Sequence, residues 1–275
     1  MCPVCGAEKH DVRLIAGLTL RRCRSCGLWT SDIPHGTGTS YATVDDVAYL
    51  HSIGTVRRAQ AAEIVAFTRA HVNGGEWLDV GCGYGFVLEA AEAAGFRVRG
   101  IEPDPKAARV AGDRVGHVEE GLLDDATPPA DVLSTLDVLE HLDDIDAFAQ
   151  LVRRKARAFW LIKVPSSDGL FFRIAHALHL RSAVHRLWQS GYAHPHTIYF
   201  DETTLTRFLE QRGFEVLATR YLDEIPNGTI VDRLTLDGRM SRTKARLAVP
   251  LVAAINLLGR WRRKTDALVM LARVK

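Results

Sequence analysis

The segment 76–95, EWLDVGCGYGFVLEAAEAAG, constrains the fold of this 275-residue chain more than any other. A short apolar run ends on Asp79 and Val80, glycines recur at 81, 83 and 85, and apolar residues at helical spacing follow. A strand that passes through glycines into a helix brings backbone amides and the positive end of the helix to one point, which suits a turn that a ligand approaches closely. The alternation continues with strand RVRGIEPD, helix PKAARVAGDRVG, short strand HVEEG, strand ADVLSTLD, helix IDAFAQLVRRKA and strand AFWLIKVP. Strands separated by helices are joined by crossovers rather than hairpins, so the expected class is α/β, a parallel Rossmann-like sheet with helices on both faces. The rhythm breaks after Pro165, resumes with DETTLTRFLEQRG and FEVLATRYL, and closes with the strand ALVMLARV.

Glycines after a strand occur in many nucleotide-binding turns, but two features narrow the ligand. The glycines stand at every second position rather than as G-x-G-x-x-G, and Asp79 lies two residues ahead of the first. A carboxylate there opposes a pyrophosphate seated on the helix terminus, yet favours a ligand that carries an ammonium and a sulfonium. Glu102, where the second strand ends, is placed to accept the hydrogen bonds of a ribose diol. S-adenosylmethionine has these groups; a doubly wound domain that binds NAD is the competing reading.

Together, WLDVGCGYG, GIEPD and LDVLEHL at 136–142 resemble the class I S-adenosylmethionine-dependent methyltransferases, and YFDETTLTRFLEQRGFEVL is similar to the closing helix and strand of that family. The resemblance covers about 74–222 and implies an enzyme with S-adenosylmethionine as its methyl donor. Carried over, Gly81, Gly83 and Gly85 shape the cofactor loop, Asp79 engages the methionine amino group and Glu102 the ribose. After the third strand the family often reads G-D, whereas this chain has GLLDD. Leu122 is therefore expected to pack on the cofactor, with Asp124 or the backbone supplying the polar contact, and Leu136 joins the cofactor-contacting set.

Cys2-x-x-Cys5 and Cys23-x-x-Cys26 have the spacing of a double zinc knuckle, each pair followed by a glycine. The intervening residues alternate around Gly17 as a short hairpin does. The expected module is a zinc ribbon over 1–30, with Zn2+ held by Cys2, Cys5, Cys23 and Cys26. Four thiolates leave no open position, so the ion is structural; a redox dithiol is the alternative. The remaining cysteine, Cys82, fills space between the glycines. Residues 31–73 read as a connector and N-terminal helices, and 74–275 as the methyltransferase domain with a lid at 166–197 and a basic-apolar insertion at 223–264. The cysteine usage and the absence of a secretory-type leader point to a reduced, cytoplasmic setting.

Methyl transfer asks chiefly for in-line positioning in a dry site, and a hydroxyl acceptor adds a general base. Ligands of open α/β sheets sit at the carboxyl ends of the strands. The candidates there are Asp137, Glu140 and His141, then His194 and His196 in AHPHTIYF, with His141 and His196 first. His176, His179 and His185 follow helical spacing and read as surface or packing residues.

The net charge of +2 shows no global basic excess, which argues against a nucleic-acid partner even though zinc ribbons occur in RNA-modifying enzymes. The expected acceptor is a hydroxyl of a sugar, as a glycan, glycolipid or natural-product intermediate. Ribosomal or transfer RNA is the alternative, and a non-catalytic S-adenosylmethionine-binding partner protein a second. Residues 239–264 flank an apolar helix with Arg239, Arg242, Lys244 and Arg246 on one side and Arg260, Arg262, Arg263 and Lys264 on the other, and contain no acidic residue. Such a helix either packs on the sheet with solvated basic ends or lies peripherally on the anionic inner face of a membrane beside a lipid-linked substrate.

Overall fold

The computed structural model describes residues 1–36, 46–235 and 240–275. At the amino end, β1 (His10–Ile15) and β2 (Leu18–Cys23) pair antiparallel with His10 opposite Cys23 and Ile15 opposite Leu18. The two-residue turn between them, Ala16-Gly17, has positive φ at both positions (57° and 86°), the backbone whose twist matches the flanking strands. β3 (Trp29–Ser31) adds to the other edge of β2.

The connector residues 37–45 lie outside the described residues, and α1 (Asp46–Arg69) follows. It runs through Gly54, because one glycine weakens a helix by about 1 kcal/mol without ending it. The next elements are β4 (Glu76–Val80), α2 (Phe86–Ala93), β5 (Arg97–Glu102), α3 (Pro105–Val115), β6 (Val118–Glu120), β7 (Ala130–Leu136), α4 (Ile145–Lys155) and β8 (Ala156–Pro165). Side-chain caps start the helices where the sequence changes role: Asp104 accepts from the amides of Lys106 and Ala107, and Asp144 from those of Asp146 and Ala147.

The lid expected at 166–197 forms α5 (Leu170–Ala177) and α6 (Arg181–Leu187), and returns through the two-residue β9 (Ile198–Tyr199). α7 (Glu202–Gln211), begun by a capping box of Asp201 and Thr204, leads into β10 (Phe214–Leu222). The insertion forms α8 (Ile230–Thr235) and α9 (Arg242–Trp261) before β11 (Ala267–Val274), while 236–239, with Arg239, lie outside the described residues.

The central sheet has seven strands in the order β6-β5-β4-β7-β8-β11-β10. β4 to β8 pair parallel, and β11 enters antiparallel between β8 and β10. The strand reversal between β5-β4 and β7 opens the crevice at which such sheets bind ligands. Alternate residues feed two cores: Trp160, Ile162, Leu268 and Met270 face α4 and α7, whereas Trp77, Leu161, Val269 and Leu271 face α1 to α3. The indole nitrogens of the buried Trp77 and Trp160 donate to Ser134 and Thr135 on β7 (2.7 and 2.9 Å), which satisfies them inside the sheet.

β9 pairs antiparallel with β3, Trp29 opposite Tyr199, so the amino-terminal hairpin grows into a four-stranded sheet completed by the end of the lid. Cys2, Val4, Cys23 and Leu28 belong to the core beneath α4 and α7. Ile15, Leu20 and Trp29 pack with Phe172, Val184 and Trp188 of the lid and with Tyr199 of β9. His176 and Trp188 are buried there; His176 stacks on Phe172 (3.8 Å between ring centroids) and accepts from the Trp188 indole (2.9 Å).

Because this hairpin has no core of its own, Cys2→Ser/Cys5→Ser is expected to lower the melting temperature of the whole chain in a single calorimetric transition. A separate low-temperature transition beside an unshifted main one would show instead that the hairpin melts independently. Leu20→Ala, at the junction with the lid, is expected to cost about 2–5 kcal/mol in chemical denaturation.

Candidate active site

The glycine turn closes against the strand ends on both sides. The amides of Gly81 and Cys82 donate to the Ile101 carbonyl (2.8 and 3.1 Å), and the Gly83 amide donates to the Glu102 carboxylate (2.7 Å). Gly81 (φ 71°) has no room for a side chain, since a Cβ would stand 2.7 Å from Val138 Cγ2. Gly83 (φ 53°) differs: a Cβ there would meet nothing within 4 Å, so the centre of the turn is open to a ligand. The arrangement is a cradle with free space above backbone amides and a carboxylate at each side.

Those carboxylates are Asp79 and Glu102, both buried. Burial pushes the Asp79 carboxyl up to about 7, although the Ser134 hydroxyl donates to it at 2.5 Å, and the charge of Glu102 adds to the rise. Burial also raises Glu102, against the amides of Asp104 (3.0 Å) and Gly83 that donate to its two oxygens. Each Glu102 oxygen keeps a further lone pair for a ribose hydroxyl. Leu122 is 75% exposed on the loop after β6, and Leu136 is half-buried at the end of β7. Asp124 accepts from the amides of Ala126 and Thr127 and from the Thr127 hydroxyl (2.8–2.9 Å), so its carboxylate is engaged in a local turn.

Beyond β7 the chain turns sharply at Asp137, whose φ is 59°. Its carboxylate takes Lys163 at 2.6 and 2.8 Å and Arg57 of α1 at 3.1 Å. Burial alone would raise this group, but Lys163 and Arg57 outweigh it and hold the carboxyl at about 2. It is ionised and a poor proton acceptor. Lys163 also pairs with Glu224, which Arg233 approaches at 3.8 Å.

The next turn carries Glu140 and His141, and the lid brings His196 beside them, with the two imidazoles edge to face at 4.8 Å between centroids. His141 Nδ1 lies 3.2 Å from the Pro195 carbonyl, and His196 Nδ1 lies 3.2 Å from the Tyr199 hydroxyl. Burial lowers the pKa of both histidines, so both are neutral near pH 7. Glu140 is 1% exposed, and neither of its oxygens has a hydrogen-bond partner. His194 is exposed, with its ring 6.4 Å from that of His35.

At the amino end Cys2 and Cys26 approach to 3.6 Å between sulfurs, and Cys5 and Cys23 to 3.5 Å. A metal–thiolate bond of about 2.3 Å gives a tetrahedron with edges of about 3.8 Å, so the four thiols fit one tetrahedral ion. The Gly6 and Gly27 amides donate to the Cys2 and Cys23 carbonyls (2.9 Å each), making two equivalent tight turns. A groove of about 520 Å3 runs between this module and the end of the central sheet, lined by Pro3, Asp32, Pro34, Leu142, Ile145 and Thr197.

The structure thus brings Asp79, Glu102 and the three glycines to one crevice, and His141 and His196 to its flank, where Val138 packs on Gly81. His194, two residues before His196, is exposed and acts on His141 through its charge and its backbone. Sequence reasoning missed Arg57, Lys163 and Glu224. One signal was available for Lys163, a single charge within the apolar strand FWLIKVP. Arg57 stands 80 positions from Asp137 and Glu224 61 positions from Lys163, and neither gave a local sign.

Comparison with known proteins bears on the same region. Residues 54–219 match a family model described as "Methyltransferase domain". The chain is 32% identical to the ubiquinone biosynthesis O-methyltransferase of Xylella fastidiosa (strain M23), over 40% of this chain and 48% of that protein. It is 28% identical to the enzyme of the same name from Aromatoleum aromaticum, over 50% and 63%. The chain therefore spans about half the length of the curated relatives it matches. Among solved structures, magnesium protoporphyrin IX methyltransferase from Synechocystis PCC 6803 with bound S-adenosylhomocysteine superposes with a TM-score of 0.54 at 16% identity, over 82% of this chain and 86% of that one. A methyltransferase from Thermotoga maritima gives 0.53 at 12% identity, over 83% and 96%. These structural likenesses speak to the fold, and the family model covers the glycine turn, both carboxylates and the Glu140-His141 turn. The chain belongs to the class I S-adenosylmethionine-dependent methyltransferases.

Proposed function

We propose that this protein transfers the methyl group of S-adenosylmethionine to a hydroxyl of a small amphipathic intermediate, with the sugar of a glycan or glycolipid as the first class to test. The observation that carries this reading is the pair of neutral imidazoles, His141 and His196, on the flank of the glycine turn. Neutral imidazole is the form that assists loss of a hydroxyl proton, and an amine or carbon acceptor has less need of it. The curated relatives are O-methyltransferases of ubiquinone biosynthesis, which supports an oxygen acceptor and makes a phenol the second class to test.

In this reading Asp79 binds the methionine ammonium and Glu102 the ribose, while Gly81, Gly83 and Gly85 let the cofactor approach the backbone. Leu122 and Leu136 flank the adenine. Asp137, locked to Lys163 and Arg57, holds the turn that presents His141 rather than accepting a proton. The four thiols hold zinc as a structural ion, and the groove beside them receives part of the acceptor. A nucleic acid fits less well because the four arginines of the ribbon are occupied. Arg21 pairs with Asp32 and Arg24 with Asp11, and Arg13 and Arg22 stand over the Trp29 ring.

A specific observation favours a lipid-linked acceptor. α9 buries Ala245, Val252, Asn256 and Gly259 on one face, while Leu247, Leu251, Leu257 and Trp261 are 65–78% exposed on the other. Both ends of this apolar stripe are cationic, through Arg242, Lys244 and Arg246 and through Arg260, Arg262 and Arg263. Three of the flanking cations are partly neutralised, Arg242 by Asp232, Arg260 by Asp223 and Lys264 by Asp168. Among the described residues no helix is long and apolar enough to cross a membrane. The stripe instead suits the interface of an anionic bilayer, the helix lying in the plane.

Formation of S-adenosylhomocysteine with acceptor panels of glycans, glycolipids, phenols and RNA tests the function, and turnover confined to RNA would overturn it. His141→Gln is expected to lower kcat by about 100-fold or more with S-adenosylmethionine affinity unchanged. The cofactor needs Asp79 ionised, so its affinity should fall about tenfold per pH unit below about 7, as read by calorimetry. The same group acts oppositely on the ligand-free fold. Its burial is harmless while it is protonated, and it destabilises the fold progressively as pH rises from about 4 to about 7. Asp79→Asn should remove both dependences and weaken cofactor binding by about 1.5–3 kcal/mol. Protein that sediments with anionic but not neutral vesicles, and no longer does so as Leu251→Glu/Trp261→Glu, is the outcome expected of the α9 reading.

A further inference from the structure

The two imidazoles beside the glycine turn differ in what orients them. His141 Nδ1 meets a backbone carbonyl, that of Pro195. His196 Nδ1 meets a side chain, the Tyr199 hydroxyl three positions on (3.2 Å), and the two rings stand edge to face at 5.5 Å between centroids. Both residues are buried, so the contact is shielded from bulk water.

One proton decides the direction of that hydrogen bond. The Tyr199 hydroxyl also lies 2.7 Å from the Leu187 carbonyl, which can only accept, so the phenol proton goes there. Leu187 is the last residue of α6, where carbonyls have no partner within the helix, and the phenol satisfies this one. With its proton committed, the Tyr199 oxygen faces His196 as an acceptor, and Nδ1 must carry the hydrogen. The opposite tautomer would set two lone pairs against each other. Burial keeps His196 neutral near pH 7, so the lone pair of its ring stands on Nε2. The phenol itself stays protonated, because burial and the charges of Glu140, Asp266, Glu224 and Asp137 hold its pKa well above the usual value.

Both partners are fixed by the junction of hairpin and lid. Tyr199 stands opposite Trp29 in the β3–β9 pair, and its ring meets Phe172 at 4.6 Å and Trp188 at 4.8 Å between centroids. The His196 amide donates to the Trp188 carbonyl (3.1 Å), and the His196 carbonyl accepts from the Ser31 hydroxyl (3.0 Å).

We infer that Tyr199 is a positioning residue for methyl transfer: its hydroxyl, committed as a donor to Leu187, holds His196 as the Nδ1–H tautomer and keeps the Nε2 lone pair free for the acceptor hydroxyl. A base oriented by a third group is the general logic of activated nucleophiles. The role rests on the O-methyltransferase reading, whereas the tautomer does not. In the transfer the acceptor hydroxyl gives its proton to Nε2, and its oxygen bonds to the methyl carbon as the carbon–sulfur bond breaks. The sulfur keeps the electron pair, and the proton leaves Nε2 for solvent before the next turnover.

The test is the tautomer itself, read by two-bond proton–nitrogen correlation NMR on the zinc-loaded full-length protein with isotope-labelled histidine. The His196 signal is identified by its loss in His196→Gln. The wild type is expected to show a single neutral form with hydrogen on Nδ1. In Tyr199→Phe, which keeps the ring, His196 is expected to populate the Nε2–H form, and kcat to fall about tenfold or more with KM little changed. S-adenosylhomocysteine binding checks the fold of the variant, and the wild-type spectrum decides the hydrogen bond even if the variant does not fold. Hydrogen on Nε2 in the wild type, the Nδ1–H form retained in Tyr199→Phe, or a shifted tautomer with full kcat overturns the inference. The Nδ1–H form in a wild type that methylates no hydroxyl supports the hydrogen bond and refutes the O-methyltransferase reading.

Discussion

A buried ammonium organises the carboxyl end of the central sheet. Lys163 has a side chain only 2% exposed, and a charge so placed persists only if carboxylates meet it. Asp137 and Glu224 do, and through them Lys163 ties the end of β8 to the exit of β7 and to the segment entering α8. Arg57 adds α1 by pairing with Asp137. Removal of one member leaves an uncompensated charge in the interior, so these elements hold their relative positions together. Glu140 and His141 follow Asp137 within one turn, and their placement depends on this network.

The second organising feature is the continuity of the amino-terminal module with the enzyme. Its sheet receives β9, the strand that immediately follows His196, and its outer core is made with lid residues. The Ser31 hydroxyl donates to the His196 carbonyl (3.0 Å), so the module holds the histidine in place as well as packing beside it. The four thiols lie at the base of this hairpin, whose sheet pairs with the strand that follows His196. Four of its basic residues, Arg13, Arg21, Arg22 and Arg24, are engaged in internal pairs or over the Trp29 ring.

Much of this was legible in the order of residues, for reasons that are local. The glycine turn is legible because positive φ and close approach select glycine at Gly81 and Gly83, and the carboxylates because strand ends place Asp79 and Glu102 beside that turn. The knuckles are legible because one ion dictates the spacing of its ligands. The roles at the turn after β7 were less so. Asp137, Glu140 and His141 are all candidate bases in LDVLEHL, with His141 ranked first, and only their surroundings separate a carboxylate held near 2 from one raised by burial. The same holds for α9, whose sequence shows an apolar helix with basic ends but not which face its neighbours cover.

The sequence by itself determined the family, the strand-helix order, the cofactor turn and the thiol site, because each is encoded in periodicity or in spacing over a few residues. Tertiary structure alone decided that His196 meets His141 across 55 positions, that Lys163 finds Asp137 and Glu224, and that the ribbon's sheet runs into the lid. Proton location, burial and long-range pairing depend on what surrounds a side chain in space, and a single chain read in order carries no record of those surroundings.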